Sequence, residues 1–408
     1  MNSRAGVKKK IGEMNMRSIK KRLRMEDREK MNWFTANPKK TIFMALAVFC
    51  LLVLILAENI LKYKNKVSGI QSRGIERYIV LRENSPSTST FRAPEDVYLR
   101  DTDSLIKKKY RIAIDSNGFM EPSERHVNPD KKIVFLGGST TECKWMEEES
   151  RFPYLAGLLL EKETGLKINS YNGGVSGNNS LHSIDALINK VIPLKPDAVV
   201  FMHNINEITA LLYEKDYWKS TRRPPVIEIP RPSLLKLAKQ FISHFIPNLS
   251  GAATNLLAVF ERKYSAGEDE FVELRGKRLE IDMVGIKDAF ALNLQTFINI
   301  CKARRITPVL MTQENRFTEV PDSLISRTVA NKLKNDFAIE YKDYKALYDM
   351  LNQVTRDAAK KEGLLLIDLD REIPHTNQYL YDPVHFNDVG SKLAAEIISR
   401  KLLPVVRP

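Results

Sequence analysis

Five apolar runs separated by helix-length segments constrain this chain more than anything else in it. The first is Ile133-Val134-Phe135-Leu136, unbroken in the way of a strand whose two faces are both buried. Similar strands are expected over Leu166 to Tyr171, Asp197 to His203, Thr307 to Thr312 and Leu364 to Leu369. Helical patterning fills Phe152 to Thr164, Ser180 to Val191, Lys287 to Arg304, Tyr341 to Lys361 and Asp388 to Leu402. Strands alternating with helices of this size require parallel crossovers, so the expected class is α/β with a doubly wound parallel sheet. Ligands then bind at the carboxyl ends of the strands.

A different constraint acts near the start. Thr41 to Ala57, TIFMALAVFCLLVLILA, holds no charge, Gly or Pro. At a rise of ~1.5 Å per residue it spans roughly 26 Å, and Ile60 and Leu61 extend it to bilayer thickness. A buried core helix would carry polar residues on one face, and this segment carries none. A cleaved signal peptide would have a short charged region and a small-x-small site, neither of which is seen. Residues 41–61 are therefore expected to be an uncleaved transmembrane anchor. Charge sets its direction. Residues 1–40 carry 13 Lys/Arg against 4 Asp/Glu, which is +9 of the formal +14. This excess predicts a cytoplasmic N-terminus and an extracytoplasmic remainder. Arg17 to Lys30 reads as a solvated tail, with a short charged helix on anionic lipid or a cytoplasmic partner as the other reading. The +5 left over the body gives no sign of nucleic-acid binding.

Three cysteines cannot make a disulfide framework. Cys50 lies in the apolar segment, so Cys143 and Cys301 are expected as two separate buried thiols rather than one bridge. No CxxC and no His/Cys cluster at ligand spacing is present, and no structural zinc is expected. Residues 62–130 read as stalk, linker (Asn84 to Thr90, NSPSTST) and lead-in, with one edge strand at Tyr110 to Ile114. The main domain is expected over 131–408 with an insertion at 209–282. Inside the insertion Leu234, Leu237, Ala238, Phe241, Phe245 and Ile246 recur at helical spacing opposite Lys236, Lys239 and His244. Such a helix packs on the domain, covers the site as a lid, or lies on the membrane.

The strand ends carry polar residues. Ser139 follows the first strand and two glycines, where it is either a nucleophile or a plain N-cap. Asn172-Gly173-Gly174-Val175-Ser176-Gly177 follows the second, with backbone N–H groups available to the crevice. His203-Asn204-Ile205-Asn206-Glu207 follows the third. After the fifth comes Tyr381-Asp382-Pro383-Val384-His385, whose carboxylate three residues before an imidazole can orient it and steady its charged form. A serine, an Asp–His pair, glycine N–H groups and an Asn amide on one rim are the parts of acyl transfer through an acyl-serine. Each alone has a structural explanation; four together on one rim are a poor coincidence.

These residues resemble the blocks of the SGNH hydrolases, the GDSL-type esterases and lipases. GGSTTE matches the first block with Ser139 as nucleophile, NGGVSGNNS the second with Gly174 as oxyanion donor, MHNINEI the third with Asn206 as donor, and DPVH the last with Asp382 and His385. Gly138 replaces the usual Asp, Asn204 the usual Gly and Glu207 the usual Asp; if a positive φ is needed at 204, Asn is the next-best residue. The resemblance implies a flavodoxin-like three-layer α/β/α sandwich, and neither metal nor organic cofactor. It further implies a serine esterase or O-acyltransferase. With the anchor, that makes a single-pass protein of a bacterial inner membrane acting on O-acyl, foremost O-acetyl, esters of cell-surface glycans. A lipase or lysophospholipase acting on lipid, and an inactive envelope scaffold, are the competing expectations.

Overall fold

The computed structural model describes residue 16 and residues 33–67, 81–218 and 275–407. The charged stretch Arg17 to Lys30, the stalk beyond residue 67 and the Leu234–Ile246 stripe lie outside the described residues. The chain divides into two compact units.

The described part of the first unit is a one-turn helix, Trp33–Ala36, and the long helix α1, Pro38–Val67. Proline at the first helical position costs nothing, because its missing N–H would have had no partner. Pro38–Ile60 contains an 18-residue window of mean hydropathy 2.6, is long and apolar enough to cross a membrane, and has no residue of that window buried. Phe43 is 73% exposed and Leu56 61%, on no single face. Among the described residues nothing covers the apolar surface of this helix. It is compatible with a single-pass anchor.

The second unit holds everything else described. Its lead-in is more ordered than its composition suggests. Strand β1, Thr88–Arg92, pairs antiparallel with β2, Tyr110–Ile114, and the one-turn helix α2, Asp96–Leu99, lies between them. The expected linker Asn84 to Thr90 therefore runs into a strand. Alternate residues of β1 stay exposed, and an edge strand with one wet face tolerates Ser and Thr. Phe119 and Met120 then bury themselves in the domain, so the lead-in is part of this unit.

The main sheet has strands β3 (Lys131–Gly137), β4 (Ile168–Gly174), β5 (Ala198–Met202), β6 (Thr307–Met311) and β7 (Leu365–Ile367), all parallel, in the order β4-β3-β5-β6-β7. Relative to the expected runs, β4 continues through Asn172 and both following glycines. The helices include α3 (Ser139–Glu142), α4 (Phe152–Thr164), α5 (Ser180–Ala186), α6 (Ile205–Ile208), α7 (Met283–Ala303), α8 (Tyr341–Glu362) and α9 (Asp388–Val406). Period-two alternation distributes the strand side chains between two cores. Val134, Leu136, Val199, Phe201 and Leu310 face α5, α7 and α8. Ile133, Phe135, Val200, Met202, Val309 and Met311 face α4 and α9. The result is a three-layer α/β/α sandwich in flavodoxin-like strand order. Cys143 and Cys301 are separate buried thiols, one in each core, and burial pushes both up to about 12.

Candidate active site

Strand β3 ends at Gly137, the chain turns at Gly138, and Ser139 opens α3 at the carboxyl edge of the sheet. Close approach demands both flanking glycines. A Cβ on Gly138 would overlap Asn206 Nδ2, and one on Gly174 would overlap the Thr141–Glu142 main chain. Leaving out those two carbons lets α3 and the Asn206 side chain crowd the serine.

Ser139 Oγ lies 2.8 Å from His385 Nε2, and His385 Nδ1 lies 2.7 Å from Asp382 Oδ2. A carboxylate only accepts, so Nδ1 carries the proton and Nε2 is the acceptor for the serine hydroxyl. The loop after β7 fixes this geometry. Asp382 Oδ1 accepts from the Val384 and His385 amides at 2.9 and 2.8 Å. Tyr381 stacks on the imidazole with centroids 5.7 Å apart and planes 6° from parallel. Buried Arg316 clamps the loop from below: its amide donates to the Pro383 carbonyl at 2.9 Å and its guanidinium pairs with Asp103 and Asp322.

Burial by itself would raise the Asp382 pKa, but the facing imidazole and the hydrogen bonds from His385 and Val384 outweigh it and hold the carboxyl below its usual range. For His385, burial works against the charged ring; the Asp382 charge and hydrogen bond win, and its pKa stands above the ordinary value. The imidazole is thus a base strengthened by its carboxylate.

Around the serine, the Ser139 N–H meets no protein acceptor among the described residues. Asn206 Nδ2 spends one N–H on the Asn178 carbonyl at 2.8 Å, which fixes the amide and leaves its second N–H beside Gly138. Gly174 is placed differently from the expectation. Its N–H donates to Asn172 Oδ1 at 3.0 Å, because position 174 still belongs to β4, opposite Gly137. The amide of Gly174 is turned into the strand end rather than the cleft. The turn reaches the cleft at Ser176, whose amide and hydroxyl both donate to Glu142.

Asn204 has φ −163°, so no positive φ is asked of it. Its amide donates to the Tyr348 carbonyl at 2.9 Å. Behind Asn206, fully buried Glu207 accepts from the Ser180 amide and hydroxyl at 2.6 and 2.7 Å and from Tyr217. His203 is buried against Ser183 and stands outside the cleft.

Sequence reasoning missed Tyr98. It enters from α2 and donates to Asp382 Oδ2 at 3.1 Å. With Lys144, Trp145, Ser176 and Tyr381 it lines a cleft of about 220 Å³ over Ser139 and His385.

A search among curated proteins finds no match. Solved structures similar to this chain include a candidate GDSL-like lipase from Parabacteroides merdae, 12% identical, covering 69% of this chain and 98% of that one with a TM-score of 0.40. An acetylxylan esterase from Geobacillus stearothermophilus is 16% identical over 69% of this chain and 95% of that one, TM-score 0.38. A lipase/acylhydrolase from Enterococcus faecalis is 16% identical over 67% and 96%, TM-score 0.38. The model of the GDSL-like lipase/acylhydrolase family matches residues 135–393, which run from the strand before Ser139 to the helix after His385. The chain belongs to that family, and its chemistry is that of a carboxylic ester hydrolase.

Proposed function

We propose that this chain is a membrane-anchored serine esterase that removes O-acyl groups, O-acetyl foremost, from cell-surface glycans on the outer side of a bacterial inner membrane. The hydrogen-bonded chain Asp382–His385–Ser139 carries the reading. In the first half-reaction His385 Nε2 takes the Ser139 proton as Oγ attacks the ester carbonyl. Asp382 stabilises the imidazolium that forms. The Ser139 N–H and the free N–H of Asn206 hold the tetrahedral oxyanion. Each such donor contributes on the order of 10²–10³ in rate. The imidazolium then protonates the leaving alkoxide, and the acyl group stays on Ser139. In the second half His385 takes a proton from water, or from an acceptor hydroxyl, which attacks the acyl-serine and frees the enzyme.

Cleft size supports a short acyl group. At about 220 Å³ the cleft falls below the ~300–1,000 Å³ of sites that enclose drug-sized ligands, and a long acyl chain would need an apolar channel. Tyr98 and Trp145 line the cleft beside the serine, and aromatic side chains are common packing partners for a sugar ring. The anchor and its direction rest on α1 and on the Lys/Arg excess before it.

The test is activity-based labelling of the full chain in detergent micelles. A fluorophosphonate should label the wild type and neither Ser139→Ala nor His385→Ala. p-Nitrophenyl acetate should be cleaved well ahead of the palmitate ester, and O-acetylated polysaccharide should release acetate. Label that persists in Ser139→Ala would end the proposal. Acyl transfer to an added glycan, in place of release to water, would make the enzyme a transferase.

A further inference from the structure

Beyond the catalytic cleft, the carboxyl end of β6 holds a second constellation of polar groups. Glu314, Asp370 and His375 bring one ligand atom each within 4.8 Å of one another. His375 Nε2 lies 3.9 Å from Glu314 Oε1, 3.7 Å from Asp370 Oδ1 and 2.7 Å from the Asp370 carbonyl. None of the three lines the cleft over Ser139.

Glu314 is the telling member. It is 1% exposed, and neither carboxylate oxygen has a hydrogen-bond partner. The nearest ring nitrogen, His375 Nε2, stops at 3.9 Å, beyond hydrogen-bond reach. A buried carboxylate with two empty acceptors is a costly arrangement for a fold to keep. Its neighbours are already satisfied. Arg356 grips Asp368 and Asp370 Oδ2, and Asn315 Nδ2 holds Asp370 Oδ1 at 2.8 Å. Arg356 thus answers Asp368 and Asp370, with Arg371 also 3.9 Å from Asp368, while Glu314 has no cationic side chain of its own beyond the His375 ring.

We propose that Glu314, the Asp370 side chain and carbonyl, and His375 Nε2 bind one divalent metal ion, the ring taking its Nδ1–H tautomer and giving up the Nε2 proton that now donates to the Asp370 carbonyl. Ions with bonds of about 2.1–2.4 Å set adjacent ligands roughly 3–3.9 Å apart, and the cluster needs only a small contraction. Carboxylates with a carbonyl and one imidazole match Mn²⁺ or Zn²⁺ better than Mg²⁺. Asp370 lies in the short helix Leu369–Glu372 and His375 just beyond it, on the path to Asp382. Glu314 follows β6 two residues before Arg316, the clamp of the catalytic loop. The ion would therefore tie the approach to that loop onto the sheet, a structural role independent of the reading of Ser139.

The experiment uses the full chain in detergent micelles, stripped with EDTA and dialysed against Mn²⁺, Zn²⁺ or Ca²⁺, with bound metal counted by mass spectrometry and unfolding followed by scanning fluorimetry. The wild type should take up about one ion per chain and unfold roughly 5 °C higher at an ion concentration near 100 Kd. Glu314→Gln should bind none and lose the response to metal, yet unfold no lower than stripped wild type, since a buried unpaired acid has gone. His375→Ala, at a partly exposed position, carries the test if Glu314→Gln does not fold. No uptake and no thermal shift in the wild type, or uptake undiminished in both variants, would overturn the proposal.

Discussion

Tyr98 donates its hydroxyl to the triad carboxylate of Asp382 at 3.1 Å, a contact that joins residues 284 positions apart. The donor comes from the lead-in segment, outside the family's matched region, so the triad of this chain is completed by a residue the family blocks do not contain. Burial first, and then the Asp382 charge, push the phenol well above its ordinary pKa, so it stays protonated and donating. Tyr98→Phe leaves the ring and removes one donor from the carboxylate. A hydrogen bond to a charged group contributes about 1.5 kcal/mol, so kcat/KM for p-nitrophenyl acetate should fall roughly tenfold. Asp382 becomes more basic without it, His385 binds its proton more tightly, and the acid limb of the pH–rate profile moves to higher pH. An unchanged rate and limb would reduce Tyr98 to packing.

The pH profile itself follows from the direction of the His385 shift. The base works only when neutral, and its pKa lies above the ordinary 6.5. Activity should therefore be lost on acidification at a pH above that value. Asp382→Asn removes the carboxylate that chiefly lifts the pKa, so burial is opposed only by the smaller effect of the Glu142 charge and the residual acid limb should move below the wild-type one. The rate should fall by about 10⁴, the scale on which a triad loses its correct tautomer. An acid limb that stays in place would mean that some other group titrates.

Much of this could be read in the chain because the relevant signals are local. The runs at Ile133 and Ala198 are apolar for a physical reason, burial on both faces, and Asp382 lies one turn from His385. What could not be read depends on direction or on distant partners. Thr88 to Thr90, the end of the expected linker, looks like a linker because its residues are small and polar, although they open a strand whose alternate residues face water. Gly174 looks like an oxyanion donor until Asn172 is seen to take its N–H. Tyr98 is one aromatic on a four-residue helix, and nothing near it in sequence points to Asp382. Glu314 and His375 are unremarkable until the sheet places them side by side.

Gly138 tests whether the space beside Ser139 is functional. Its φ is −90°, so alanine suits the backbone, and only the added Cβ matters. That carbon would overlap Asn206 Nδ2 and come within 3.1 Å of the Asn178 carbonyl that Nδ2 bonds. The amide must swing off Asn178, and the oxyanion loses one oriented donor. Gly138→Ala should lower kcat by about 10² with KM little changed, while the melting temperature stays close to wild type. A collapse of stability with the activity per folded molecule intact would show that the glycine serves packing alone.

Glu207 offers a stability test that leaves the catalytic groups in place. It is fully buried, and burial raises its pKa from 4.5 to about 7 against the opposing hydrogen bonds from Tyr217 and Ser180. The fold thus prefers the protonated acid. For a group whose folded pKa is raised, the stabilisation is complete below the unfolded value of 4.5 and is lost as pH rises to about 7. Across that window the loss amounts to about 3 kcal/mol. Its neighbour His203 acts the other way: burial lowers its pKa to about 3, so its contribution is present above 6.5 and fades on acidification. Glu207→Gln keeps the shape of the side chain and removes its titration, so the wild-type-minus-variant difference isolates one group. That difference in unfolding free energy, followed by denaturant titration from pH 4 to pH 7.5, should shift against the wild type as pH rises. A difference that is flat over the whole range would mean that the three donors already hold Glu207 ionised in the folded protein.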